Sequence, residues 1–155
     1  MTSGVVYHGG SYSIAQEFRD ALVLYTSPNE ELAKSYVGMS VDRFGPGASL
    51  QKFNVSFTPA TEDYCLSYGE RKFGLDTSYV PASLFDVNLQ DWEKVDRLIR
   101  FLKGHGYDGA IMTDIAYGSA PQLEGESWIL FSPRCIKSVV ESLERLDDRI
   151  MRRLS

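Results

Sequence analysis

The chain has 155 residues, 43% hydrophobic and 24% charged, which suffices for one ordinary core, so a single domain over residues 1–155 is expected. A net charge of −5 argues against broad binding to nucleic-acid phosphates, which needs a basic surface. No apolar run approaches the roughly 20 residues of a membrane span, and no basic segment followed by a long apolar one marks the N-terminus, so the expected location is cytoplasmic, without a membrane.

In chain order, residues 4–8 form a short apolar strand that is expected to stop at Gly9-Gly10, a pair able to let a ligand approach the backbone closely. A helical segment follows at 14–18, started by Ser13. Residues 21–25 are an apolar run of strand length. Ser27 is then read as the cap of a short helix, with Pro28 at its first position and Glu30 completing a capping box. Ala33, Tyr36 and Val37 share one face of that helix, and Gly38 can close it. Tyr25 leaves the strand and Tyr36 sits about two turns into the helix, so their rings can wall a slot suited to a flat heteroaromatic ligand.

Gly-Pro-Gly within 43–47 marks a loop. Residues 50–57 alternate, with Phe53, Val55 and Phe57 on one face, as in a half-buried strand. Residues 64–66 are read as continuing the sheet and 67–83 as loop. Trp92, Val95, Leu98, Ile99 and Leu102 recur at helical spacing, with Gly104 as the expected C-cap. The turn 106–109 leads into a strand at 110–113, an irregular segment at 114–125, and an apolar strand at 127–131 ended by Ser132-Pro133. Residues 136–140 form a last strand, and Val140, Leu143, Leu146, Ile150 and Leu154 lie near helical spacing, predicting a C-terminal amphipathic helix at about 140–154. Many short strands in mixed order predict an α+β fold of small packed sheets. Cys65 and Cys135 have no metal-ligand spacing and read as buried thiols in a reducing compartment. No zinc pattern, Walker loop or dinucleotide glycine fingerprint is present, and no metal is expected.

Three pieces stand in order: Tyr7-His8-Gly9 on the first strand, Tyr25 and Tyr36 with ten residues between them, and Glu124-Gly125-Glu126-Ser127 entering the late strand Trp128-Ile129-Leu130-Phe131. The arrangement resembles the His-Tyr-Glu branch of the ADP-ribosyltransferases, the diphtheria-toxin-like and poly(ADP-ribose) polymerase-like enzymes. The turn 106–111 and the segment 132–138 look like those of small phage and bacterial members. The likeness spans roughly 4–140 in outline and is specific only at these short segments.

The resemblance implies a split β-sandwich of two small sheets with NAD as co-substrate, bent between them. It implies that His8 hydrogen-bonds the adenosine-side ribose, that the Gly9 backbone holds the nicotinamide amide, and that Tyr25 and Tyr36 flank the nicotinamide ring, with Thr26 and Ser127 also against the cofactor. The family glutamate stands directly before an aromatic–aliphatic–aliphatic–aromatic strand; here that place is taken by Ser127, and Glu126 is one residue earlier. Strand side chains alternate, so a shift of one reverses the face. A bulge or the strand entry re-aims Glu126, or Glu124 reaches in from the preceding segment, or Ser127 stands in a domain that binds without turnover. Glu126 is the favoured catalytic residue, together with His8 and Tyr25. The expectation is a mono-ADP-ribosyltransferase of toxin or effector type acting on a macromolecular target, a protein. An NAD glycohydrolase and an inactive NAD- or ADP-ribose-binding module are the alternatives. The segment 114–125, with Tyr117, is expected to help recognise the target, and His105 reads as an exposed turn residue.

Overall fold

A computed structural model describes residues 1–10, 14–36, 49–116 and 123–142. Strand β1 (Thr2–Gly10) pairs antiparallel with β3 (Ser49–Phe57), from Thr2↔Phe57 to Gly10↔Ser49. This ladder carries β1 through the glycine pair that was expected to stop it, because cross-strand bonding outweighs the weak strand preference of glycine. On its other edge β3 pairs with β7 (Ile136–Ser142). Phe53, Val55 and Phe57 are all buried, as their alternation requires.

The second sheet has the order β2-β6-β5-β4, made of β2 (Leu24–Thr26), β6 (Leu123–Leu130), β5 (Gly109–Ala116) and β4 (Pro59–Ala60). The β5–β6 ladder runs without interruption from Gly109↔Leu130 to Ala116↔Leu123. It therefore turns the ends of the segment 114–125, expected to be irregular, into strand. At the free edge of β5 the Glu62 carboxylate accepts a hydrogen bond from the Thr113 N–H at 2.6 Å, satisfying a donor that no strand reaches.

Four helices complete the described chain: α1 (Ile14–Ala21), α2 (30–36), α3 (Glu62–Arg71) and α4 (Trp92–Gly104), with 3₁₀ turns at Pro81–Phe85 and Pro133–Cys135. Ala21 ends α1 instead of opening the next strand, and Leu22 takes φ +69° as the chain turns into β2. Residues 64–66 are helical, not strand. Thr61 caps α3 by accepting from the Tyr64 N–H, and Glu62 and Asp63 favour its first turn, so local capping decides a stretch too short for periodicity to decide. α4 falls where its period placed it, with Val95, Leu98, Ile99 and Leu102 buried; it continues through Gly104, and the left-handed turn belongs to Gly106 at φ +89°.

The result is an α+β fold with two small sheets flanked by helices. One core lies between the sheets, with Val6, Leu24, Phe53, Val55, Phe57 and Leu130. The other lies between the four-stranded sheet and α3, α4 and the 81–85 turn, with Cys65, Leu84, Phe85, Leu98, Met112 and Ile129. Successive residues of β6 thus serve opposite cores, and this parity governs the site described next. Among the described residues no helix is long and apolar enough to cross a membrane. Ser13, Val37, Gly38, the 43–47 loop, Tyr117 and residues 143–154 of the expected C-terminal helix lie outside the described residues, and residues 140–142, where that helix was to begin, belong to β7.

Candidate functional site

The two sheets meet at one backbone bridge. The Tyr7 N–H donates to the Ser27 carbonyl at 2.8 Å and the Ser27 N–H donates to the Tyr7 carbonyl at 2.9 Å. This bridge sets His8 and Gly9 of β1 beside Tyr25 and Thr26 of β2. The His8 ring is buried, and its Nδ1–H donates to the Tyr25 carbonyl at 2.7 Å. Its Nε2 lies 2.7 Å from Glu17 Oε2 of α1, close enough for an ion pair, but it has no aligned hydrogen bond among the described residues. Gly10 makes that approach possible, because a Cβ there would stand 2.9 Å from His8 Nε2 and collide with the Glu17 carboxylate. Gly9 is half-buried within the β1–β3 ladder.

Tyr25 pairs with Ile129 and so shares its face of the sheet with Ala110, Met112, Asp114 and Ser127. Its hydroxyl donates to the Ala82 carbonyl at 2.9 Å. Tyr36 comes to the same face from α2, and its hydroxyl donates to Asp114 Oδ2. Asn29, not Ser27, caps α2. Its Oδ1 accepts from the N–H groups of Glu31 at 3.0 Å and Leu32 at 3.3 Å. Ser27 is held back by the β1 bridge, and its Oγ–H instead donates to the Glu126 carbonyl at 2.6 Å. The Ser27-Pro28-Asn29 sequence offers two caps, and the inter-sheet bridge selects the second.

Ser127 is fully buried, and its Oγ–H donates to Asp114 Oδ2 at 2.6 Å. Asp114 is 6% exposed, and its Oδ1 also accepts from the Ile115 N–H at 2.8 Å. Burial, then the neighbouring Asp114 charge, pushes the Tyr36 phenol far above the ordinary tyrosine value. Burial, then Asp86, Tyr36 and Asp114, does the same for Tyr25. Both phenols are therefore fixed hydrogen-bond donors, each tethered at its hydroxyl, with the carboxylates of Asp86 and Asp114 close by.

Glu126 stands elsewhere. It pairs with Thr113, is exposed, and shares the opposite face of β6 with Glu124 and Trp128. No bulge interrupts this ladder, so nothing turns either glutamate towards the tyrosines. Thr26 is also committed, its Oγ1–H donating to the Trp128 carbonyl at 2.6 Å. The structure thus brings together His8, Gly9, Tyr25, Tyr36 and Ser127, and leaves Glu124 and Glu126 outside. It adds Asp114, Glu17, Asn29 and Asp86, none of them singled out in the sequence. A signal for Asp114 was present: it continues the inward alternation Ala110, Met112, Asp114, where a charge on the core face is unusual.

Among the described residues no group of three or more His, Cys, Asp or Glu side chains is arranged to hold a metal ion. Compared with family models, with curated proteins and with solved structures, the chain matches none.

Proposed function

We propose that the chain is a mono-ADP-ribosyltransferase of the His-Tyr-Glu type, in an ADP-ribosyltransferase-like split β-sandwich, which moves ADP-ribose from NAD to a protein target. One observation carries this reading: Tyr25, Tyr36 and Ser127 gather on one face of the four-stranded sheet, and the Tyr7–Ser27 bridge sets His8-Gly9 of the other sheet beside the Tyr25 backbone. These residues suit NAD. The two tethered phenols offer aromatic faces for a flat ring, and His8 Nε2 is a buried nitrogen without an aligned hydrogen bond, the kind of group a ribose hydroxyl satisfies.

Bound NAD would supply an activated glycosidic bond, which breaks with its electron pair going to the nicotinamide nitrogen while the target's nucleophile bonds the ribose carbon and gives up its proton. The chain's own residues bind and orient. His8 and Gly9 hold the two ends, Tyr25 and Tyr36 fix the ring plane, and the enclosed carboxylate opposes positive charge developing on the ribose. The strand ends that flank 117–122 would meet the target. No metal takes part in this scheme.

A second reading is favoured by Ser127, which stands where the resemblance puts a glutamate: a domain that binds NAD without transfer, or that passes ADP-ribose only to water. Incubation of the full chain with labelled NAD and a lysate separates the three. Labelled protein supports transfer, free nicotinamide without labelled protein supports glycohydrolysis, and binding without turnover supports the inactive module. Absence of binding contradicts the assignment.

A further inference from the structure

We propose that Asp114, on the strand beside β6, is the catalytic carboxylate of this site, having taken over the position of the missing late-strand glutamate. The proposal rests on the reading of the Tyr25–Tyr36 face as an NAD site. Ser127 occupies the glutamate place, and its side chain lies on the Tyr25 face of the sheet, fully buried. Bond lengths put the carboxylate oxygens of a glutamate about 2.4 Å from its Cγ. Asp114 Oδ2 stands 2.6 Å from Ser127 Oγ, the atom that replaces that Cγ. A carboxylate therefore lies at the distance that a glutamate at 127 would reach, delivered from the neighbouring strand.

The register makes the delivery possible. Asp114 faces Gly125, so the residue directly opposite contributes no side chain beside the carboxylate. A Cβ at Gly125 would meet Asn29 Nδ2 at 3.3 Å and Leu32 Cδ2 at 3.4 Å, so the glycine also lets the start of α2 approach and bring Tyr36 over. Glu124 and Glu126, both exposed on the other face, offer no competing carboxylate.

Acceptor capacity points the same way. An ionised carboxylate has about four acceptor positions. Among the described donors, the hydroxyls of Tyr36 and Ser127 share Oδ2, and the Ile115 N–H takes one position on Oδ1. Among the described residues no donor takes the remaining position on Oδ1, which a hydroxyl of the nicotinamide ribose would fill. A charge enclosed at 6% exposure and held by three donors needs no rearrangement to oppose positive charge on the ribose as the bond to nicotinamide breaks.

The test uses the purified full chain. Nicotinamide release from NAD is followed at steady state, and NAD binding is measured by calorimetry, for wild type, Asp114→Asn and Glu126→Gln. Asp114→Asn is expected to lower kcat by about 100-fold or more with Kd changed by no more than about threefold, while Glu126→Gln matches wild type in both. Retained kcat in Asp114→Asn, loss of kcat in Glu126→Gln, or loss of binding in step with kcat would each overturn the proposal. Wild type supplies a second readout that survives even if Asp114→Asn fails to fold. An NAD analogue lacking the nicotinamide-ribose hydroxyls is expected to bind about tenfold more weakly than NAD, and equal binding would overturn the proposal. Turnover by wild type with Asp114→Asn unaffected defeats the Asp114 assignment alone. A wild type that neither binds NAD nor releases nicotinamide defeats the NAD reading and this proposal with it.

Discussion

Ser127 and Asp114 are diagonal neighbours on β6 and β5, and the buried serine hydroxyl donates to the aspartate Oδ2 across 2.6 Å. Tyr36 donates to the same oxygen from α2. A helix, two strands and a carboxylate are thereby joined at one point, so structure and site chemistry are coupled there. Removing the acceptor strands two buried hydroxyls, whereas removing one donor leaves the carboxylate with others. Asp114→Ala is therefore expected to cost about 2–4 kcal/mol in urea unfolding, and Ser127→Ala about 1 kcal/mol. Equal costs for the two would contradict a shared acceptor.

Asn29 and Ser27 should separate in their effects. Asn29 holds the first N–H groups of the helix that carries Tyr36, so Asn29→Ala is expected to cost about 1 kcal/mol and to weaken NAD binding through a frayed α2. Ser27→Ala breaks the bond to the Glu126 carbonyl and loosens the β2–β6 end. Backbone amide exchange should show the first variant raising exchange at 31–32 and the second at 29, whose N–H donates to the Ser27 Oγ.

Stability should fall on the alkaline side. Burial pushes the Cys65 thiol from 9.0 up to about 12 and the Cys135 thiol up to about 11, and it raises the Tyr25 and Tyr36 phenols above 10.0. The unfolded chain loses these protons first as pH rises, so the stabilisation is whole below the unfolded values and is lost as pH climbs through the folded ones. The urea midpoint should hold steady up to about pH 8.5 and decline progressively from about pH 9 to 11. A midpoint unchanged at pH 11 would contradict these burials. The same burial predicts that neither thiol reacts with a disulfide reagent in the native chain at neutral pH.

Glu17 sits against the His8 nitrogen that the proposed function gives to a ribose hydroxyl. A ligand arriving there must displace it. Glu17→Ala is expected to tighten NAD binding by about three- to tenfold, because the ligand then meets a free nitrogen. Weaker binding in this variant would mean that Glu17 orients His8 and does not compete with the ligand.

The sequence made legible what periodicity and turn chemistry control. α4 followed from its apolar spacing and β3 from its alternation, and β7 lies where a last strand was expected. The placing of Tyr25 on a strand and Tyr36 on the following helix was visible because strand, turn and helix positions fix where each leaves the backbone. Long-range pairing was not visible. The helix cap moved from Ser27 to Asn29 because Ser27 is claimed by Tyr7, twenty residues away in the chain. The segment 114–125 looked irregular because its glycines and charges hid a ladder that only the β5–β6 register reveals. Asp114 is legible in part: the alternation Ala110, Met112, Asp114 marks a charge on the core face, whereas its place opposite Gly125 depends on the register.

In the proposed function the tethered tyrosine pair holds the nicotinamide end of NAD. Calorimetric titration of NAD into wild type and Tyr36→Ala, with thermal melting to confirm that both are folded, tests it most directly. Loss of one aromatic wall should weaken NAD binding by about tenfold or more while leaving ADP-ribose, which lacks the ring, within about twofold of wild type. Equal NAD affinities in the two proteins, or an equal loss for NAD and ADP-ribose, would contradict it.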